Sequence, residues 1–152
     1  MSRTVSRTVS ALDALQTTLA GEHAALYLYG VFGGRTSQAT AATLSAALRQ
    51  GYDVHRGQRD RLTRSVRDLG SEPVAAAVAY ALPTTLATEV DVQRHALEIE
   101  RRCAATYAAL VAQSVGDLRR WAGVALAGAA VRQLGLGGDA QAFPGIDELA
   151  AR

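Results

Sequence analysis

Apolar side chains recur every three or four positions over four long stretches of this chain, the spacing of one face of an α-helix. Leu12, Leu15, Leu19, Leu26 and Tyr29 mark a first helix over about residues 5–33, with Ser6 or Ser10 as candidate N-cap and Gly33-Gly34 as its end. A second, about 37–69, carries Leu44, Leu48, Tyr52, His55, Arg59, Leu62, Val66 and Leu69, with Gly70 as C-cap. The third, about 88–114, turns Val92, Ala96, Ile99, Cys103, Tyr107 and Leu110 inward. The fourth, about 117–134, has Asp117 as N-cap and Gly135 as C-cap, and from Ala122 to Val131 it is small and apolar all round. Such a helix is buried on most sides or packs on a second copy.

The connections set the topology. Antiparallel neighbours in a bundle need only about 2–8 linking residues. Residues 70–87 exceed that and hold Pro73 and Pro83 without an amphipathic pattern. Extended at about 3.3 Å per residue, they are long enough to run beside a helix of roughly 40 Å. The expected fold is therefore all-α, a single domain over residues 1–152: a four-helix bundle of two helical hairpins joined by a long crossover, with helices 2 and 3 parallel. The tail, 135–152, brings Ala142-Phe143-Pro144-Gly145-Ile146 to dock on the bundle.

Polar residues interrupt the apolar stripes at related places. Glu22 and Tyr29, seven residues apart, share the stripe of helix 1, and Glu100 with Tyr107 repeats the pattern on helix 3. A buried carboxylate without a partner costs several kcal/mol, so partners are expected. Helix 2 offers His55 and, one turn on, Arg59, whose guanidinium is placed to grip Glu22 bidentately. Tyr29 and Tyr107 are either hydrogen-bond donors to the carboxylates or ordinary interface aromatics. The expected core polar cluster is thus Glu22, Tyr29, Tyr52, His55, Arg59, Glu100 and Tyr107. His23, His95 and Glu98 fall beside the stripes and read as surface residues.

Composition narrows the chemistry. All 16 basic residues are arginine, so lysine-dependent mechanisms such as Schiff-base formation and phosphate-loop nucleotide hydrolysis are excluded. A net charge of +2 is too balanced to indicate a nucleic-acid partner, and the arginines of helix 2 are interleaved with Asp53, Asp60 and Asp68 as on a solvated face. The one cysteine, Cys103, rules out an internal disulfide and reads as a buried thiol, raised in pKa by its apolar stripe and lacking an evident histidine partner. The N-terminus lacks the apolar core of a signal peptide, and the longest apolar run, Trp121–Val131, is short of a membrane span. A cytoplasmic protein is expected.

Four long helices, a long crossover and a Glu followed by Tyr in helices 1 and 3 resemble the ferritin-like superfamily. That resemblance implies two metal ions in the bundle core, held by one Glu from each of two helices and a Glu-x-x-His motif from each of the others. Glu22 and Glu100 match the single glutamates. Tyr52-Asp53-Val54-His55 keeps the histidine, but tyrosine stands where the glutamate should be. From Leu118 to Leu134 the fourth helix has no Asp, Glu or His. Leu15-Gln16 with Glu22-His23-Ala24-Ala25, His55-Arg56 with Arg59-Asp60, Ala79-Tyr80-Ala81-Leu82-Pro83 and Ala142-Phe143-Pro144-Gly145 further resemble a bacterial ferritin-like domain family of unknown function. The expectation is a non-enzymatic binding or assembly scaffold with a degenerate di-metal site and no cofactor, forming a homodimer through helix 4 or another exposed helical face. The alternative is a metal-handling protein or oxidoreductase holding a single iron, manganese or zinc ion on Glu22, His55 and Glu100.

Overall fold

A computed structural model describes the backbone of residues 2–146 and the side chains from Ala11 onward. It contains four helices, α1 (Ser2–Arg35), α2 (Ala42–Asp68), α3 (Glu89–Gln113) and α4 (Gly116–Gly135). Helix α1 begins upstream of Ser6 and Ser10, so neither caps it, and both side chains lie outside the described ones. The expected tail residues 147–152 also lie outside the described residues.

Helix ends follow local chemistry. Helix α2 ends in a left-handed turn in which Gly70 (φ +74°) donates to the Arg67 carbonyl and Ser71 to that of Val66. Gly70 thus stands one place past the C-cap, Leu69, where the left-handed conformation favours glycine. Helix α4 closes the same way one residue later than the sequence suggests, with Leu136 as C-cap and Gly137 (φ +82°) left-handed. Thr88 and Asp91 form a reciprocal capping box at the start of α3. Asp117 does not cap α4. The chain turns into that helix at Val115 and Gly116, and Asp117 instead sits in the first turn, paired with Arg120.

The crossover, residues 69–88, climbs along α1 and is pinned to it. The Gln16 amide donates to the Glu72 carbonyl (2.7 Å) and accepts from the Val74 N–H (2.8 Å). His23 donates Nε2–H to the Val74 carbonyl (3.0 Å), Tyr80 packs on Tyr27 in a tilted pair with ring centroids 5.4 Å apart, and His95 donates to the Thr85 carbonyl (3.1 Å). His23 and His95 are therefore anchors of the crossover rather than free surface residues. Because the segment runs from the N-terminal part of α1 toward its C-terminal end, α2 and α3 start at the same end, where Thr40 bonds Glu89. They are parallel. The Gln93 amide reaches the Leu136 carbonyl (3.1 Å), so α4 runs back antiparallel to α3. The tail docks at Gly145 (φ +76°), where any Cβ would overlap the Ala104 carbonyl of α3.

Leu15, Leu19, Phe32, Leu48, Leu62, Val66 and Leu110 are fully buried and form the apolar core above and below a central polar layer. No helix among the described residues is long and apolar enough to cross a membrane.

Candidate functional site

The polar layer is built from all four helices. Glu22 and Tyr29 come from α1, His55 from α2, Glu100 and Tyr107 from α3, and each is no more than 2 % exposed. Antiparallel packing of α1 on α3 sets Glu22 beside Tyr107 and Glu100 beside Tyr29. The two Glu–Tyr repeats therefore pair crosswise: Tyr107 donates to Glu22 Oε1 at 2.7 Å, and Tyr29 to Glu100 Oε1 at 2.5 Å. Both phenols are donors to carboxylates, the first of the two alternatives left open by the sequence. Burial and the carboxylate each faces push both phenol pKa values up, so they keep their protons.

His55 lies between the two carboxylates. Its Nδ1 is 2.7 Å from Glu22 Oε2 and its Nε2 is 3.1 Å from Glu100 Oε1. Ionised carboxylates only accept, so both ring nitrogens carry protons and the ring is an imidazolium. Burial alone would lower its pKa; the hydrogen bonds to Glu100 and Glu22 and their charges outweigh this and raise it to about 9. The Tyr29 ring packs on it at 4.8 Å.

The second cation is not the one expected. Arg59 turns outward, where Nε and Nη2 both bind Asp60 Oδ1 at 2.9 and 2.7 Å, and it takes no part in the cluster. The adjacent, half-exposed carboxylate satisfies it at the partly exposed edge of α2. Arg132 of α4 supplies the charge instead, donating from Nε to Glu100 Oε1 at 2.9 Å. Burial opposes the Glu100 charge, but the hydrogen bonds and charges of His55 and Arg132 hold its carboxyl below the usual range. Tyr52 is also outside the hydrogen-bonded set; its half-buried ring packs over Gly30. Cys103, fully buried, completes the layer, and its Sγ lies within 4.8 Å of donor atoms of Glu22 and His55. Burial, then the Glu22 and Glu100 charges, push this thiol well up.

The formal charges cancel: Glu22 and Glu100 against His55 and Arg132. Glu100 Oε1 accepts three donors, whereas Glu100 Oε2 and Arg132 Nη2 are buried without a hydrogen-bond partner among the described residues. The signal for Arg132 in the sequence is a lone arginine after an apolar run of α4. That for Cys103 is its place on the α3 stripe, one turn from Glu100 and Tyr107.

Gly51 makes the layer possible. A Cβ at this mid-helix position would overlap the Tyr29 ring. Alanine gains about 1 kcal/mol of helix propensity over glycine. Overpacking costs about 1–3 kcal/mol, and displacing Tyr29 from Glu100 forfeits a charged hydrogen bond of about 1.5–3 kcal/mol. Gly51→Ala is therefore expected to lose about 2 kcal/mol or more in urea unfolding; a stabilised variant would show that the ring is not held there.

Solved structures with this fold place the layer in context. A conserved hypothetical protein of Mycobacterium tuberculosis superposes with a TM-score of 0.79 at 26% identity, covering 86% of this chain and 90% of that one. A ferritin-like diiron-carboxylate protein from Bacillus anthracis gives 0.76 at 16% identity, covering 86% and 95%. A dodecameric thioferritin, the bacterioferritin-related protein of Bacteroides fragilis, gives 0.73 at 21% identity, covering 86% and 83%. No curated protein matches the chain. The model of one family, described as "Domain of unknown function (DUF4439)", matches residues 14–148, nearly the whole bundle including its polar layer; the chain shares its fold with ferritin-like proteins and belongs to that family of unknown function.

Proposed function

We propose that this protein is a metal-free member of the ferritin-like fold, a non-enzymatic scaffold in which an ion-pair layer fixes the four helices where a dinuclear centre sits in a diiron relative. The observation that carries this reading is Arg132: a guanidinium from α4 bonded to Glu100 in a core whose charges already cancel. The residues present do not fit two divalent ions. Dinuclear carboxylate sites draw ligands from all four helices, and α4 contributes a cation instead of a carboxylate or imidazole. Both carboxylates, moreover, are already engaged by tyrosine and histidine donors. A bacterial cytoplasm, where Cys103 stays reduced, and self-assembly as a homodimer suit such a scaffold.

Elemental analysis of protein purified without a histidine tag tests the reading. Metal well below one equivalent per chain is expected, with a thermal midpoint unchanged by chelator. One equivalent of metal that survives purification and disappears in Glu22→Ala would sink it.

One observation favours a second reading. Donor atoms of Glu22, His55 and Cys103 lie within 4.8 Å of one another, a mixed oxygen, nitrogen and sulfur set of the kind zinc accepts. Each ring nitrogen of His55 faces a different carboxylate, so this triad, rather than Glu22, His55 and Glu100, is the candidate for a single ion. Binding there requires the thiol and one ring nitrogen to lose their protons, which the buried carboxylates oppose.

A further inference from the structure

We infer that α4 is the homodimer interface, pairing antiparallel with α4 of a second copy about a two-fold axis. It rests on the reading of this chain as self-assembling and is independent of the metal-free core. Helix α4 packs on α3, barely touches α2, and leaves a face open. Along it run Val124, Ala127, Val131 and Leu134, spaced three, four and three, the seam by which two helices pack knobs into holes. These are not marginally exposed: Val124 is 72 %, Val131 66 % and Leu134 49 % accessible. No charged residue lies between Arg120 and Arg132.

Charge selects the occupant and its direction. An interface used twice by a two-fold axis must be complementary to itself. This face is: the apolar seam has Arg120 at its N-terminal end and Asp139 just past its C-terminal end. Antiparallel pairing sets Val124 of one protomer opposite Leu134 of its partner and Ala127 opposite Val131. It brings Arg120 of each toward Asp139 and the C-terminal carbonyls of the other, whereas parallel pairing would oppose arginine to arginine. A cleft of about 100 Å³ beside the last turn of α4, lined by Val131, Leu134 and Asp139, is open to receive that guanidinium. Asp139 has no ion-pair partner among the described residues, and the Asp117 partner of Arg120 is a highly exposed one, which is exchanged at little cost. A helix face roughly 30 Å by 10 Å buries about 600 Å² over both copies, below standard interfaces, so the dimer is expected to dissociate on dilution.

Sedimentation equilibrium from low to high micromolar protein tests this, with circular dichroism confirming that each variant is folded. A reversible monomer–dimer equilibrium is expected, weakened about tenfold or more by Val131→Arg, which buries an unpaired charge at the seam. Arg120→Glu and Asp139→Arg should each weaken it, and the two combined should restore it. A chain monomeric throughout would overturn the homodimer reading itself. A dimer indifferent to Val131→Arg would overturn only the use of α4, and charge reversal without restoration would overturn the antiparallel arrangement.

Discussion

Glu100→Leu is expected to destabilise the fold by about 3–5 kcal/mol, the cost of breaking a buried ion pair by removing one partner. Glu100 Oε1 is the one atom that receives Tyr29, His55 and Arg132 together. Leucine leaves Glu22 to balance two buried cations, so the layer carries a net positive charge in a medium that solvates it poorly. For a chain of this size that is a fall in thermal midpoint of roughly 10 °C or more. The charge account gives the experiment a second arm. Removing Arg132 as well, in Glu100→Leu/Arg132→Met, restores neutrality as the Glu22–His55 pair alone. The loss in the double variant should therefore fall short of the sum of the two single losses by a coupling of at least about 1 kcal/mol. Chemical denaturation of the four species measures it, and strictly additive losses would mean that the two charges do not compensate each other.

Periodicity and linker length were enough to read the bundle, because four amphipathic stretches and one overlong connection admit few topologies. The polar layer was legible only in part. Glu22, Glu100 and His55 stand out as polar residues on apolar stripes, and the repeated Glu–Tyr spacing marks Tyr29 and Tyr107. Their crosswise pairing depends on the antiparallel register of α1 against α3, which no single helix encodes. Arg59 misled because helical spacing puts it on the stripe, while its neighbour Asp60 holds it at the surface at less cost than burial. Arg132 was hidden for the opposite reason: α4 is so uniformly small and apolar that its pattern does not say which side faces the core. The residue that closes the charge balance sits on the helix with the weakest amphipathic signal.

The same balance makes stability fall as pH rises through neutrality. His55 titrates at about 9 in the folded protein against 6.5 as an ordinary histidine. Folded chains therefore hold a proton that unfolded chains have released between those values. The contribution is complete below about pH 6.5, declines from there to about pH 9 and is absent above it, and its size is on the order of 3 kcal/mol. Glu100 acts in the opposite sense. Its carboxyl is held below the ordinary 4.5, so its contribution is present above that value and lost as pH falls through the folded pKa. Maximal stability is expected between about pH 4.5 and 6.5. Cys103, whose ordinary value is 9.0, steepens the loss only at higher pH, because burial keeps its thiol protonated in the folded chain. Urea midpoints across this range read the decline. Nitrogen-15 chemical shifts of the His55 ring read its origin without any substitution: both nitrogens should remain protonated at pH 8. A neutral ring at that pH would remove the second cation, leave the layer with excess negative charge, and overturn the ion-pair account of the core.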